Sequence, residues 1–168
     1  MATQITRIID RAHEGRVREL ESEYFAWVNA QLQGEFQIRL DVERMIAGDM
    51  EHLNIYFPPD GGLFLAEADG GLAGMIFLTR LRGDAGQIRR MYVRDEYRRR
   101  GVARALFGAA IREARAIGYA RLLLESPVSW RGAHALYREM GFGKVVMYPE
   151  SEVPEPLRGY WVFMEKTL

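Results

Sequence analysis

The 168-residue sequence contains no cysteine, only two lysines and only three histidines. The absence of cysteine excludes disulfides, thiolate metal sites and a cysteine nucleophile. His13, His52 and His134 are widely separated, so a histidine metal cluster is not expected either. The sequence therefore predicts no metal site.

The chain also lacks an excess of either charge and any long apolar run. Its 23 basic and 23 acidic residues cancel, whereas general nucleic-acid binders usually carry a basic excess. The longest apolar run, 72–78, is far too short to span a bilayer, and the first ten residues contain no apolar core of a signal peptide. We therefore expect a cytoplasmic protein that binds neither nucleic acid nor a membrane.

The spacing of apolar residues predicts a single mixed α/β domain. Apolar positions at intervals of three and four predict helices over 14–33, 41–53, 101–117 and 132–140, with Asp41 as an N-cap and Gly34 as a helix end. Apolar runs bounded by turn residues predict strands near 5–9, 63–66, 72–78, 86–93, 120–125, 144–148 and 160–167. This order predicts a mixed, mostly antiparallel central sheet flanked by helices.

A strand, an arginine-rich loop and a helix follow one another between Met91 and Leu106. Such a junction presents unpaired backbone N–H groups, and the helix dipole adds positive charge, so it is suited to a phosphate or pyrophosphate. Gly101 permits close approach of an anion, and Ala103 keeps the first helical turn small. The neighbouring cations are Arg98, Arg99, Arg100 and Arg104. Alone, the pattern also fits a solvated basic turn before an ordinary helix.

A second pattern, Ala133-x-x-Leu136-Tyr137-x-x-x-Gly141-Phe142, follows the apolar strand that ends at Glu125. Together the two patterns resemble the GNAT superfamily of acetyl-CoA-dependent N-acetyltransferases, over roughly 63–146. The resemblance implies a GNAT-like α/β fold in which residues 1–168 form one N-acetyltransferase domain. It also implies acetyl-CoA as co-substrate, no metal, and an amine as acceptor.

The resemblance further implies which residues bind the cofactor. The strand would pair its main chain with the pantetheine arm, and the loop and helix N–H groups would hold the pyrophosphate. The implied coenzyme A-binding residues are Met91, Tyr92, Val93, Arg98, Arg99, Arg100, Gly101, Val102, Ala103, Arg104, Ser129 and Ala133. Two positions depart from the family pattern: Trp130 stands where Asn is frequent, and Gln87 stands where some members carry a Glu.

Two residues are candidates for proton transfer. Tyr137 is the candidate acid, because a phenol with a pKa of about 10 can protonate a departing thiolate; a purely structural core tyrosine is the alternative. Glu125 is the candidate base, because desolvation at the end of an apolar strand raises a carboxylate pKa. An exposed carboxylate paired with Arg121 or Arg131 is the alternative there. His134 is expected at the surface.

The resemblance places the acceptor between the N-terminal helices and the last loop. The first helix offers Tyr24, Phe25 and Trp27, and the loop offers Glu150, Glu152 and Glu155. These residues fit an acidic, aromatic rim for a cationic amine, or core aromatics beside solvated acids. A primary amine of a small molecule is the leading acceptor; a protein N-terminus or lysine, and a non-catalytic acetyl-CoA sensor, are the alternatives. A homodimer with a contribution from 161–164 is a further expectation.

The remaining expectations concern charge and mechanism. The positive charge between Arg89 and Arg104 is expected to face the polyanionic cofactor. Because the chain has no cysteine, acetyl transfer is expected to be direct, without an acetyl-cysteine intermediate.

Overall fold

The computed structural model describes residues 2–168. Its strands are β1 (Thr3–Ile8), β2 (Gly62–Ala68), β3 (Gly71–Arg82), β4 (Ala85–Val93), β5 (Arg121–Pro127), β6 (Gly143–Val145) and β7 (Trp161–Thr167). Its helices are α1 (Glu14–Phe36), α2 (Val42–Glu51), α3 (Val102–Ile117) and α4 (Arg131–Glu139).

The strands form one sheet in the order β1-β2-β3-β4-β5-β7-β6. Only β4 and β5 pair in parallel; the other neighbours are antiparallel. The prediction of a mixed, mostly antiparallel sheet with flanking helices is therefore confirmed. Strand β7 pairs with β5 over its whole length and with β6 only from Phe163 to Glu165, and a homodimer stays a prediction.

The two faces of the sheet are covered differently, since alternate side chains of each strand point to opposite faces. On one face, α3 and the buried face of α4 pack on Phe64, Ile76, Ile88, Leu122 and Leu124. On the other face, α1 and α2 pack on Leu63, Leu65, Met75 and Phe77. Beside them the segment 146–160 covers the β4–β5 region through Tyr148 and Val153. The site described below lies where these layers meet.

Strands β4 and β5 separate after a short parallel ladder. Their last pair is Gln87 with Leu123, although β4 continues to Val93 and β5 to Pro127. Just beyond that pair, β4 contains a bulge: two residues, Arg90 and Met91, oppose one residue of β3, and Arg90 has a φ of 49°. The sheet is thus open between β4 and β5 at one end.

Several predicted boundaries were wrong by a few residues. Helix α1 passes Gly34 and ends at Phe36, because Gln37 adopts a φ of 59° and its N–H bonds to the Leu32 carbonyl. A glycine on an exposed helix surface lowers helix propensity but does not end a helix whose other face is buried. Asp41 does cap α2, accepting a 3.1 Å hydrogen bond from the Arg44 N–H.

The strands differ from prediction mainly at their ends. Strand β6 covers only Gly143–Val145, whereas a strand over 144–148 was predicted. Val145 and Val146 are exposed, and Tyr148 is buried because it leaves the sheet edge and folds over β4 and β5. The apolar residues from Val145 to Tyr148 therefore predicted a strand, although three of these four residues belong to the loop that covers β4 and β5.

Candidate functional site

A cavity of about 540 Å³ lies where β4 and β5 separate, between the start of α3 and helix α4. Strand β4 and the basic loop form one wall and α4 forms the other. The lining residues are Trp27, Met91, Tyr92, Val93, Tyr97, Arg98, Arg99, Gly101, Ala103, Arg104, Trp130, Gly132, Ala133, Ala135, Leu136, Tyr137 and Glu139. The volume falls in the range of small-molecule sites.

The N-terminus of α3 opens at this cavity. Gly101 has a φ of 83°, and no side chain caps the helix. The first backbone bond of the helix is donated by Ala105 to the Gly101 carbonyl, at 3.0 Å. The N–H groups of the first turn therefore precede the helical ladder and are available to an anion. Arg99, with a φ of 60°, reverses the chain immediately before this turn.

The arginines of the loop are held in position by neighbours. The Nε of Arg98 donates to the Val93 carbonyl at 2.9 Å, its guanidinium lies 2.8 Å from Asp95, and it stacks 5.3 Å from the Trp27 ring centre. Arg104 forms a bidentate pair with Glu139 at 2.6–2.9 Å, which joins α3 to α4. Arg100 lies 3.5 Å from Asp69. The exposed carboxylates can exchange with a ligand phosphate at little cost.

The structure brings most of the predicted cofactor residues to the cavity wall. Met91, Tyr92, Val93, Arg98, Arg99, Gly101, Ala103, Arg104 and Ala133 line it. Three others do not: Val102 is buried in the core under α3, and Arg100 and Ser129 lie outside the lining. Val102 is the first residue of α3, so its backbone N–H lies at the start of the helix although its side chain is buried.

Sequence reasoning missed several lining residues. Gly132, Ala135 and Leu136 extend the face of α4 that Ala133 begins, a signal available from helical spacing. Trp27 was expected at the acceptor rim and not among the cofactor residues, and helical spacing gives no signal that this residue of α1 lines the same cavity as α4. The centre of its ring lies 4.7 Å from that of Trp130. Trp130, which stands where the family frequently has Asn, therefore packs against a second tryptophan.

Tyr137 reaches the cavity from α4 through the buried face of the helix. Its side chain is 7% exposed, its ring packs edge-on against Phe107, and burial raises the pKa of its hydroxyl above the ordinary value. A second contribution to the raised pKa comes from Tyr24, on α1. Tyr137 therefore remains protonated across the neutral range and is able to donate a proton.

Glu125 lies on the opposite face of β5, next to the covering loop. Burial raises the pKa of its carboxyl, and hydrogen bonds from the Ser151 and Tyr148 side chains counteract this rise. Its Oε2 is buried and has no hydrogen-bond partner within residues 2–168. Neither Arg121 nor Arg131 pairs with it; Arg121 pairs with Asp84 and Glu165 instead. One carboxylate oxygen is thus held while the other is left able to accept a proton.

Two further polar residues are buried near Glu125 and Tyr137. The Gln87 Nε2 donates to the Tyr148 hydroxyl at 3.1 Å, so this amide supports the residue that contacts Glu125. His134 was expected at the surface, and this was wrong: it is 5% exposed, with its Nε2 2.7 Å from the Ser126 Oγ. Burial lowers the pKa of His134, because α4 turns this polar position toward β5.

The acidic residues of the last loop do not form a free anionic rim. The carboxylate of Glu150 pairs with Arg82, and that of Glu152 pairs with Arg89. The hydrogen bond from Arg82 lowers the pKa of Glu150. Of the aromatic residues proposed for the same rim, Phe25 is buried under α1. Glu150 and Glu152 therefore do not form the acidic rim as free anions, whereas the 63% exposure of the Glu152 side chain agrees with the alternative of a solvated acid.

Only part of the positive charge between Arg89 and Arg104 lies at the cavity. Arg90 donates to Asp49 at 2.5 and 3.1 Å, and Arg94 donates to Glu23 at 2.7 and 2.9 Å. These arginines and Arg89 turn toward α1, α2 and the last loop. The basic residues at the cavity are those of the loop and of the first turn of α3.

Residues 13–142 match the model of the Acetyltransferase (GNAT) family. The chain belongs to the GNAT acetyltransferase family. The match begins at the end of the turn before α1 and extends past α4, so it includes both sides of the cavity.

Two relatives agree with this membership. N-acetyltransferase 8 of Homo sapiens is 31% identical over 110 residues, which cover 61% of this GNAT chain but 48% of the human protein. The chain thus spans about half the length of that relative. The uncharacterized N-acetyltransferase YjgM of Escherichia coli (strain K12) is 29% identical over 122 residues, covering 70% of this chain and 73% of that protein.

A solved structure shows the same fold. The PaiA N-acetyltransferase of Thermoplasma acidophilum, in complex with coenzyme A, superposes with a TM-score of 0.77 over 100% of both chains at 19% identity. Within residues 2–168, no group of three or more His, Cys, Asp or Glu side chains is arranged to hold a metal ion. In the same part of the chain, no helix has the length and apolarity needed to cross a bilayer.

Proposed function

We propose that this GNAT protein transfers the acetyl group of acetyl-CoA directly to a primary amine of a small molecule. The observation that carries the proposal is the opening between β4 and β5, with Tyr137 on the cavity side and Glu125 on the other side. A proton donor and a proton acceptor thus flank the only place along the β4–β5 border where the described sheet is open.

The residues of the cavity fit the cofactor. Pantetheine needs an apolar channel beside free backbone groups, and a pyrophosphate needs several N–H donors with positive charge. The N–H groups at the start of α3 and the positive charge of Arg99 meet the needs of the pyrophosphate. Trp130 lines the cavity, and its Nε1 is buried and has no hydrogen-bond partner within residues 2–168, so this polar atom is available to a ligand.

The chemistry requires two proton transfers. The acceptor arrives as an ammonium, and Glu125 Oε2 takes one of its protons, which frees the nitrogen lone pair for attack on the thioester carbonyl. The attack forms the carbon–nitrogen bond; when the carbon–sulfur bond breaks, Tyr137 donates its proton to the departing thiolate, the nitrogen releases its surplus proton to water, and water reprotonates the Tyr137 phenolate. The raised pKa makes the Glu125 carboxylate a stronger proton acceptor, and the raised pKa of Tyr137 keeps its hydroxyl protonated until the thiolate departs.

The test replaces Tyr137 with Phe and follows release of free thiol from acetyl-CoA with a panel of small amines and peptides. We expect Tyr137→Phe to bind coenzyme A as the wild type does and to turn over at least about tenfold more slowly. Tyr119→Phe is the matched control, because it also removes a buried phenol hydroxyl, one that donates to the Asp60 carbonyl far from the cavity.

The same assay separates the other hypotheses. Unchanged turnover in Tyr137→Phe would remove this residue from the mechanism. Acetylation of peptides alone would replace the small-molecule acceptor with a protein N-terminus or lysine. Binding of acetyl-CoA without acetylation of any amine would instead favour the sensor.

A further inference from the structure

Arg89 stands opposite Glu125 across the opening in the sheet. The last β4–β5 pair is Gln87 with Leu123, and Arg89 and Glu125 each follow two residues later. Both side chains therefore leave the sheet on the face covered by α1, α2 and the last loop. Any acceptor whose amine reaches Glu125 from this side comes within reach of the Arg89 guanidinium.

The partner of Arg89 is unusual for a mostly buried cation. The Arg89 side chain is 13% exposed, but the Glu152 carboxylate that pairs with it belongs to a side chain that is 63% exposed. An exposed carboxylate loses little when it returns to water, whereas a buried guanidinium needs some anion beside it. The Arg89 guanidinium is thus held in place, whereas another carboxylate can replace that of Glu152.

Neighbouring polar groups add to this site. Burial raises the pKa of Tyr24 and of Tyr56, and the positive charge of Arg89 counteracts part of this rise, so both hydroxyls lie within range of that charge. The Tyr56 hydroxyl is buried and has no hydrogen-bond partner within the described residues. Arg90, by contrast, is fully engaged, since Asp49 holds it with two hydrogen bonds and Phe25 packs 4.8 Å from its guanidinium.

We propose that the acceptor carries a carboxylate beside its amine, as a free amino acid does, and that Arg89 binds this carboxylate in place of Glu152. The inference rests on the proposed acetyl transfer at Glu125. A guanidinium pairs with a carboxylate through two parallel hydrogen bonds, which would fix the position of the amine. The exchange also keeps the local charge constant, because one carboxylate replaces another.

The experiment compares matched acceptors that differ only in the carboxylate: an amino acid, its carboxamide and its decarboxylated amine, for leucine and for phenylalanine. Losing a charged hydrogen-bonded pair costs about 1.5–3 kcal/mol, or about 10–150-fold. We expect wild-type kcat/KM to favour the free acid by at least about tenfold, and Arg89→Gln to abolish this ratio between free acid and carboxamide; the ratio is the readout because Arg89 also acts on the pKa of Glu125 and so on the rate with every acceptor.

Three variants complete the design. Arg89→Lys keeps the charge without the bidentate geometry and should be intermediate. Glu152→Gln removes the competing carboxylate and should lower the KM for free acids. Arg82→Gln is the matched control, because Arg82 also pairs with an acid of the last loop, Glu150, but lies at the end of β3 that is far from the opening. This variant should keep the preference for the free acid over the carboxamide.

Calorimetric binding of the same compounds to the coenzyme A-loaded protein gives a readout without turnover. Arg89-dependent binding of free acids with no acetylation would support the carboxylate site and reject the acetyl-transfer proposal. Equal turnover of acids and amides, unchanged in Arg89→Gln, would overturn the inference and leave acetyl transfer standing. Absence of any preference for the free acid in both assays would also overturn it.

Discussion

At the level of single residues, the two carboxylate oxygens of Glu125 have different surroundings: the group accepts hydrogen bonds, but its Oε2 has no partner within the described residues. Ser151 and Tyr148 stabilise the charge, yet burial outweighs them and the pKa is raised. A carboxylate with a raised pKa is a stronger proton acceptor once it is ionised. Activity should therefore increase as the pH rises through the pKa of Glu125.

We expect Glu125→Gln to lose this rising limb of the kcat/KM pH profile and to lower kcat by at least about tenfold, within the range of general-base catalysis. Glu165→Gln is the control. Glu165 pairs with Leu123 on the neighbouring strand, faces the same side and contacts Arg121, away from the opening. A Glu125→Gln profile that matches the wild type would assign the base to water or to another group.

The sequence predicted the residues whose role depends on local spacing. The loop from Arg98 to Arg104 and the α4 face of Tyr137 could be placed because helix periodicity and a glycine with positive φ are local properties. Trp27 and Arg89 could not, because their positions depend on how α1 and the last loop fold across the sheet. His134 was misplaced for the same reason, since its burial follows from the packing of α4 on β5.

At the element scale, a buried ionic cluster joins α1, α2 and the bulge of β4. Arg90 is 14% exposed and lies between Asp49 of α2 and Glu21 of α1, whose Oε1 is 3.9 Å from the Arg90 Nε. The positive φ of Arg90 turns its side chain to the same face as that of Arg89. The cluster thereby fixes the acceptor-side helices to the strand that borders the opening.

The prediction at this scale concerns compensation within the cluster. Breaking a buried ion pair usually costs about 3–5 kcal/mol. Asp49→Asn should cost less, about 1–2 kcal/mol, because Glu21 can ionise and replace the lost charge. The double variant Asp49→Asn/Glu21→Gln has no replacement and should lose the full amount in urea unfolding.

The control for this cycle is Asp60→Asn, which breaks the exposed pair with Arg80 and should cost below about 1 kcal/mol. Strictly additive effects of Asp49→Asn and Glu21→Gln would contradict the compensation.

At the scale of the whole molecule, zero net charge conceals a division between the two faces of the sheet. Cations with exposed or replaceable partners surround the cavity, while Arg90 and Arg94 tie the helices of the other face to the sheet. The order of strands and helices was readable from periodicity, because each element buries one face. The separation of β4 from β5 could not be predicted in this way. It depends on the bulge in β4 and on how many residues of β4 and β5 pair, and neither property follows from the sequence of one strand.

Global stability should depend on the titration of Glu21, the one fully buried acid among the described residues. Burial and the adjacent Asp49 raise the pKa of Glu21 from an ordinary 4.5 to about 9, so the folded protein keeps a proton that the unfolded chain releases. Below pH 4.5 both states are protonated and stability is unaffected; between about pH 4.5 and 9 stability falls as the pH rises. Glu21→Gln removes this titration and should stabilise the protein by at least about 1 kcal/mol at pH 8, because the buried amide offsets part of the gain. Thermal unfolding from pH 5 to 9 measures it, with the half-exposed Glu67→Gln, paired to Arg16, as control. Parallel wild-type and Glu21→Gln curves across that range would show that Glu21 is ionised in the folded protein.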